Sequence, residues 1–282
     1  MDNKSLIYEV KDNIGWITLN RPKKLNAMDR AMLDELDKAF TLAEQDLDVK
    51  VVIIKGAGRA FSSGKDLSDE VSKQSFPAEP GERQAFTKDL MDVQRRFDRR
   101  WEYISNVAKP TIAQVHGYCL GTGAFLAMVC DFTIAADDAI FGDPSVRMGM
   151  LSGMPLWLWL LGVKKAKELV LTGKYIPGKE AETLGLITKS VPAPRLEQEV
   201  LDLAEGLKLL HSDALALAKD GINAVMESRG VGAAWRFTTD MQLIMQSKRN
   251  RDEDSRFFRI AEEKGFKKAL EERDAPFEGF FK

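Results

Sequence analysis

The strongest chemical signal in the sequence is a glycine-flanked turn, Gly121-Thr122-Gly123, which leads directly into an uncharged apolar segment over 124–130. If that segment is a helix, the backbone N–H groups at its start lack intrahelical partners and carry partial positive charge. Such donors can stabilise negative charge that develops on an oxygen, and the glycines let a ligand approach the backbone. A turn with no chemical role is one alternative. A dinucleotide-binding loop is another, but Leu126 stands where its fingerprint requires glycine or alanine.

Several polar side chains near this turn could move protons or bind polar groups. Asp143 is the best acid or base candidate, because apolar neighbours would keep water from its carboxylate, although an Asp before Pro144 also caps turns. Ser145 could donate a hydrogen bond to a substrate, but the sequence identifies no base to activate it. His116 ends a predicted buried strand, where an imidazole either acts as acid or base or packs against a backbone partner. The choice between these roles stays open at this point.

The composition excludes several classes of protein. The chain has 282 residues, 44% of them hydrophobic, so it is neither disordered nor collagen-like and forms one large domain or two ordinary ones. Forty-one Lys and Arg against 43 Asp and Glu give a net charge of −2, which disfavours binding to nucleic acid. Cys119 and Cys130 can form neither a disulfide framework nor a four-cysteine zinc site. We expect reduced thiols, no metal and a cytoplasmic location.

The most apolar stretch, 148–163, does not predict a membrane span. Ser152, Gly153 and Pro155 interrupt it, and it is shorter than the roughly 20 residues that cross a bilayer. The polar start of the chain also lacks the apolar segment of a signal peptide. We therefore expect a buried wall or a subunit interface here, and no membrane partner.

Strand-like and helix-like segments alternate through the first two thirds of the chain, which indicates an α/β fold. From Leu196 onward the pattern is helical only, and we predict a sheet-containing core over 1–195 and a helical subdomain over 196–282. A predicted helix over 82–105 carries four arginines off its apolar stripe, which we interpret as a solvated face or as a surface that attracts an anionic ligand. Predicted strands cover 14–19, 51–54, 111–115 and 132–135, and predicted helices include 29–44 and 124–130.

Four sequence motifs follow one another along the chain. They are Asn20-Arg21-Pro22 to Asn26-Ala27-Met28, Gly58 to Leu67, Lys109-Pro110 to Gly123, and Cys130-Asp131 to Phe141-Gly142. Their order and spacing resemble the crotonase superfamily, the enoyl-CoA hydratase/isomerase group. Further matches include Leu171-Thr172-Gly173 and the tail from Gly265 to Phe277, so the resemblance covers nearly the whole chain.

The resemblance implies a spiral of stacked ββα turns, a C-terminal helical part that forms trimers or hexamers, and an acyl-CoA substrate. It implies no separate cofactor, because CoA belongs to the substrate. It also implies that the thioester oxygen lies between the backbone N–H groups of Lys65 and Thr122. By the same resemblance, or as walls of the acyl pocket, we expect contacts with substrate or CoA from Lys24, Leu25, Ser62, Ser63, Gly64, Asp66, Leu67, Tyr118, Gly121, Phe125, Trp157 and Phe277.

Two positions depart from the pattern of the family's hydratases. Those enzymes use two glutamates to position and activate water. Here Phe125 occupies the first glutamate position and Ser145 the second. We therefore predict an acyl-CoA enzyme that favours isomerisation or carbon–carbon bond cleavage over standard hydration. The alternative is a protein that binds acyl-CoA or a partner on the same fold without catalysis.

Overall fold

The computed structural model describes residues 4–67, 95, 99–153, 155–247 and 256–280. The polar sequence over 62–81 predicts a long loop, and its part after residue 67 lies outside these ranges. So do most of the predicted helix over 82–105 and Lys282, which the resemblance would bring near CoA. Within them the chain alternates strands and helices as the sequence predicts. The strands are β1 (Leu6–Lys11), β2 (Ile14–Leu19), β3 (Val51–Gly56), β4 (Thr111–Val115), β5 (Tyr118–Leu120), β6 (Phe132–Ala136), β7 (Ile140–Gly142), β8 (Ile176–Pro177) and β9 (Lys189–Val191).

The strands form two sheets in the described part of the chain. The larger has the order β1-β2-β3-β4-β6-β9, with β1 antiparallel to β2 and every other neighbouring pair parallel. The smaller has the order β5-β7-β8. Because β5 follows β4 and β7 follows β6, successive turns of chain contribute one strand to each sheet, which gives the spiral of ββα turns that the resemblance predicts.

Helices pack around these sheets and dominate the C-terminal part. The strand residues Val51–Ile54 are fully buried, as expected for a parallel sheet covered on both faces. The helices are α1 (Arg30–Gln45), α2 (Thr122–Val129), α3 (Leu156–Thr172), α4 (Gly178–Thr183), α5 (Leu196–Lys208), α6 (Ser212–Ser228), α7 (Val231–Ser247), α8 (Arg256–Lys264) and α9 (Phe266–Asp274), with short 3₁₀ turns at Pro22–Lys24, Pro144–Met148, Ala193–Arg195 and Ala275–Phe277.

Helix α5 belongs to the sheet layer by its packing. Its buried residues Leu196, Val200 and Ala204 join the main core with the strands of the larger sheet. The predicted division after residue 195 therefore separates α5 from the sheet that it covers. The division into two domains itself stays a prediction.

The apolar stretch 148–163 becomes the end of a 3₁₀ turn, an irregular segment and the start of α3. The helical path of α3 is broken at Gly162, whose φ is +68°. None of the helices within the described ranges combines the length and the apolar character that a membrane crossing requires.

Arg100 differs from the predicted solvated face. Its side chain is buried, and its guanidinium binds both carboxylate oxygens of Asp37 on α1, at 2.6 and 2.8 Å. Arg99, by contrast, is exposed. The helical periodicity of the sequence could not predict that Arg100 is buried while Arg99 is exposed. The acidic partner of Arg100 comes from a helix more than 60 residues earlier in the chain.

Candidate active site

A cavity of about 1060 Å³ brings together residues from every part of the fold. Its walls come from the turn before α1, the segment that follows β3, the start of α2, the 3₁₀ turn at Pro144–Met148, and helices α7 and α9. Most of the predicted site residues lie in these walls. They are Lys24, Leu25, Ser63, Gly64, Lys65, Asp66, Leu67, Tyr118, Gly121, Thr122, Phe125, Asp143 and Ser145.

The segment that carries Lys65 runs alongside β5. The Ser62 N–H donates to the Tyr118 carbonyl at 2.8 Å, and the Leu120 N–H donates to the Ser62 carbonyl at 3.0 Å. Gly64 has φ +101°, and a β-carbon there would lie 2.8 Å from the Leu120 carbonyl oxygen and 3.5 Å from the Thr122 nitrogen. Only glycine at position 64 therefore lets the backbone that carries Lys65 lie this close to the backbone that carries Thr122.

The second segment begins at Thr122, the first residue of α2. Its N–H has no partner within the helix and lies at the positive end of the helix dipole. Gly121 before it has φ +48°, and its own N–H donates to the Gly142 carbonyl at 2.9 Å. This bond ties the start of α2 to β7, the strand that leads into Asp143.

Asp143 caps a turn and lines the cavity at the same time. It is 2% exposed, and its Oδ1 accepts hydrogen bonds from the Ser145 N–H at 3.0 Å and the Ser145 hydroxyl at 2.5 Å. Its Oδ2 is buried without a hydrogen-bond partner among the described residues. The turn-capping role and the acid or base role that the sequence suggests for Asp143 are therefore compatible, since the cap uses Oδ1 and leaves Oδ2.

Phe125 forms an apolar wall at the position that the resemblance assigns to the first hydratase glutamate. It is 6% exposed and packs edge-on against Trp101, with ring centroids 6.3 Å apart. Ser145 occupies the second position, and its hydroxyl is bound to Asp143. Asp143 is thus the carboxylate that the structure places on this part of the wall among the described residues.

Charged residues near the predicted CoA site hold two loops together. The Asp66 Oδ2 accepts from Arg21 Nη2 at 2.8 Å and from Lys24 Nζ at 3.0 Å. Lys24 is half-exposed, and the Ser63 hydroxyl contacts its carbonyl at 3.4 Å. Asp66 therefore positions the cavity rim, while the exposed Lys24 can also face an anionic ligand.

Four predicted site residues do not line the cavity. The Ser62 side chain is buried and donates to the Asn26 carbonyl at 2.8 Å. His116 forms a 2.8 Å hydrogen bond with the Gly58 carbonyl, which fits the interpretation that its imidazole packs against a backbone partner. Trp157 is buried in the core at the start of α3, and Phe277 packs against the Arg147 guanidinium. Proximity along the chain does not fix which way a side chain points, so the roles predicted for these four residues stay predictions.

The structure adds wall residues that the motifs did not single out, among them Tyr175 and Arg273. The methionines of the stretch 148–150 do line the cavity, as the predicted apolar wall requires, although Trp157 does not. Arg273 lies in the tail that carries the resemblance, but its buried position appears only when α9 folds back onto the 3₁₀ turn.

The fold and the cavity define an α/β protein of the crotonase type, with adjoining backbone donors and the buried carboxylate of Asp143 in a single cavity. Sequence comparison agrees, since residues 9–280 match the family described as enoyl-CoA hydratase/isomerase. The chain belongs to this enoyl-CoA hydratase/isomerase family.

Individual relatives span most of the chain. A probable mitochondrial enoyl-CoA hydratase of Dictyostelium discoideum is 37% identical over 78% of this chain and 75% of its own length. A probable enoyl-CoA hydratase of Mycobacterium bovis is 37% identical over 81% of this chain and 84% of its own length. Among solved structures, an enoyl-CoA hydratase/isomerase of Xanthobacter autotrophicus superposes with a TM-score of 0.85 at 32% identity, covering 97% of this chain and 98% of its own.

Proposed function

We propose that this protein transforms an acyl-CoA through a thioester enolate and favours isomerisation or carbon–carbon bond cleavage over standard hydration. Membership of the enoyl-CoA hydratase/isomerase family supports the acyl-CoA substrate. The observation that carries the choice of reaction is the buried carboxylate of Asp143, whose Oδ2 has no partner among the described residues, on a wall where Phe125 and Ser145 occupy the positions that the resemblance assigns to two glutamates. The relatives reported above bear hydratase names, so the proposed preference rests on the residues of this chain and not on those names.

Enolate formation in this proposal depends on the backbone. Removing a proton from the carbon next to a thioester carbonyl places negative charge on the carbonyl oxygen. The N–H groups of Lys65 and Thr122 would donate hydrogen bonds to that oxygen and stabilise its charge, with the dipole of α2 adding to the second donor. Loss of one such donor costs about 10²–10³ in rate in a well-studied enzyme.

Asp143 is the proposed proton carrier. The hydrogen bonds from Ser145 hold Oδ1, so that Oδ2 is the oxygen left to take the proton from one carbon of the acyl group. Returning the same proton to another carbon completes a double-bond shift, which needs only one acid or base group. Hydration needs a base for water and an acid for the α-carbon, and neither Phe125 nor Ser145 supplies the second group.

Hydrogen–deuterium exchange tests this proposal without knowledge of the natural acyl group. In D₂O, the protein should exchange the α-protons of saturated and 3-enoyl-CoA thioesters, detected by mass spectrometry, while hydrating crotonyl-CoA poorly. Asp143→Asn should lower the exchange rate about 10²–10⁴-fold. Asp138→Asn, which changes an exposed carboxylate in the same part of the chain, should leave the rate unchanged.

The outcomes separate the alternatives. Exchange that survives in Asp143→Asn would make Asp143 a turn residue only. Binding of acyl-CoA without exchange or turnover of any thioester would favour the non-catalytic alternative. Hydration of crotonyl-CoA at rates ordinary for the family would overturn the preferred reaction.

We also propose a homotrimer or a pair of trimers in the cytoplasm. Helices α6 and α7 expose large apolar side chains, including Leu217, Ile222, Val225 and Phe237. Exposed apolar side chains concentrated on neighbouring helices mark surfaces that associate with other proteins. The family resemblance supplies the expected number of subunits.

A further inference from the structure

A buried cationic cluster lies at and behind the cavity wall beside the 3₁₀ turn at Pro144–Met148, and we define it as Arg147, Tyr175, Arg273 and Asp274. The two arginine side chains are 6% and 9% exposed, and Asp274 is the acidic member. The cluster thus has an excess of one positive charge. Asp143 lies on the same wall, but within the described residues its hydrogen bonds come from Ser145 and it forms no ion pair with either arginine.

Arg147 is occupied by structural contacts. Its Nε donates to the Thr172 carbonyl at 3.0 Å and its Nη1 to Asp274 Oδ1 at 3.2 Å. Its guanidinium also lies over the rings of Tyr175 and Phe277, 5.2 and 4.7 Å from their centroids. Arg147 does not line the cavity, so its role is to anchor the turn that carries Asp143 and Ser145.

Arg273 is arranged differently, because it lines the cavity and keeps a weakly used donor. Its Nε and Nη2 bind the two carboxylate oxygens of Asp274 at 3.0 and 2.7 Å, and Nη2 also donates to the Tyr175 oxygen at 3.0 Å. Its Nη1 contacts the Met148 sulfur at 3.8 Å. A thioether is a weak acceptor, so this buried nitrogen has capacity for a stronger partner among ligand atoms.

Tyr175 supplies a second donor in the same wall. Its oxygen accepts from Arg273, so its own O–H remains to donate. Burial raises the pKa of Tyr175 above its ordinary value, so the hydroxyl keeps its proton at neutral pH. Tyr175 also lies against β7, because a β-carbon on Gly142 would be 2.8 Å from its Cδ1.

We propose that Arg273 and Tyr175 bind an acceptor oxygen on the acyl group, either a carbonyl or a carboxylate, beyond the thioester itself. This inference rests on the proposed function, since it assumes that an acyl chain occupies the cavity. Two buried donors facing a purely apolar chain would leave hydrogen bonds unmade, whereas an acceptor oxygen satisfies them. A carboxylate would also offset the positive excess of the cluster. Arg273 and Tyr175 are thus specificity residues for an oxygenated acyl chain.

Binding of three thioesters with four-carbon acyl groups tests the inference. Butyryl-CoA has no second oxygen, acetoacetyl-CoA has a ketone, and succinyl-CoA has a carboxylate. Isothermal titration should show that the wild type binds at least one of the oxygenated thioesters about tenfold to a hundredfold more tightly than butyryl-CoA, the range expected for hydrogen bonds to a charged donor. Chromatography after each titration checks that the thioester is intact.

Variants assign that preference to the two residues. Tyr175→Phe removes only a hydroxyl, and Arg273→Lys keeps the charge but loses the planar fork of donors. Both should reduce the preference to about twofold or less while affinity for butyryl-CoA stays within about twofold of wild type. Lys268→Gln, an exposed change on the same helix α9, should retain the full preference.

Each result has a distinct meaning. Preference for acetoacetyl-CoA alone indicates a carbonyl, and preference for succinyl-CoA alone indicates a carboxylate. Equal affinity for all three thioesters in the wild type, or a preference that both variants retain, overturns the inference but leaves the proposed function standing. Failure to bind butyryl-CoA and CoA altogether would overturn the proposed function itself.

Discussion

The ring of Phe125 meets the indole of Trp101 edge-on, with the ring planes at 88°. Both side chains are buried, and the contact joins the first turns of α2 to the helical residues 99–106. Edge-to-face aromatic pairs contribute about 0.5–1.5 kcal/mol beyond the area that they bury. The position that the resemblance assigns to a hydratase glutamate is therefore part of the apolar packing here.

Introducing a glutamate at both positions, 125 and 145, should give the protein hydratase activity. Because hydration needs two carboxylates, we expect the double variant Phe125→Glu/Ser145→Glu to hydrate crotonyl-CoA at least about tenfold faster than wild type. Each single variant should stay near the wild-type rate. Loss of crotonyl-CoA absorbance measures the reaction. A wild type that already hydrates efficiently, or a folded double variant with no gain, would contradict this account of the two positions.

The same substitution should cost stability. A carboxylate in place of Phe125 loses the contact with Trp101 and must leave water beside an indole, so Phe125→Glu should lower the free energy of unfolding by about 2–4 kcal/mol. Phe125→Leu, which stays apolar, should lower it by about 1–2 kcal/mol. Urea denaturation followed by circular dichroism measures both values. Equal stability of the two variants would show that water in the cavity already reaches this position, which would contradict the prediction.

Gly64 should be essential for the backbone donor at Lys65. Gly64→Ala would place a β-carbon 2.8 Å from the Leu120 carbonyl oxygen at φ +101°, so the Lys65 segment must move away from Thr122. We expect α-proton exchange to fall about 10²–10³-fold, as for loss of one oxyanion donor. The exchange assay in D₂O provides the measurement.

Gly162→Ala is the matched control for backbone strain. Gly162 has φ +68°, but its added β-carbon would meet nothing within 4 Å. It should therefore lower the free energy of unfolding by about 1–2 kcal/mol through strain alone and leave exchange intact. If the two alanine variants lose exchange equally, general destabilisation and not the displaced donor explains the effect.

Both cysteines should be unreactive in the folded protein. Burial raises the pKa of Cys130 to about 12 and that of Cys119 well above its ordinary value. A raised thiol pKa means that the thiolate, which is the reactive form, is scarce at neutral pH and increases only as the pH approaches that value. Ellman's reagent should therefore label neither thiol at pH about 7–8, and both after unfolding. Ser228→Cys, which adds an exposed thiol, should react at once, and fast labelling of the wild type would contradict the prediction.

The exposed apolar side chains of α6 should hold the proposed oligomer together. Ile222 is 67% exposed, so Ile222→Glu should leave the subunit folded but shift the protein toward monomers of 31.6 kDa in sedimentation experiments. Leu47→Glu is the control, because Leu47 is 96% exposed in a loop before β3 and should not affect assembly. A wild-type monomer at micromolar concentration would remove the basis of the proposed trimer.

Local patterns predicted the strands that are buried on both faces. The predicted segments 14–19 and 111–115 coincide with β2 and β4, because short, mainly apolar segments bounded by turn signals describe such strands well. Strands β5, β7 and β8 were not predicted individually. They have two or three residues each, too few for a repeating pattern, and only pairing in the smaller sheet defines them.

The sequence by itself determined the family and the glycine turn at the start of α2, because these are properties of residue type and order. That Phe125 and Ser145 stand in place of two glutamates is a prediction from the same sequence. Tertiary structure decided which side chains share the cavity. His116 and Trp157 point away from it, whereas Tyr175 and Arg273 enter from distant segments. Orientation and long-range pairing depend on how the sheets and α9 pack, and a single sequence holds no local signal for either.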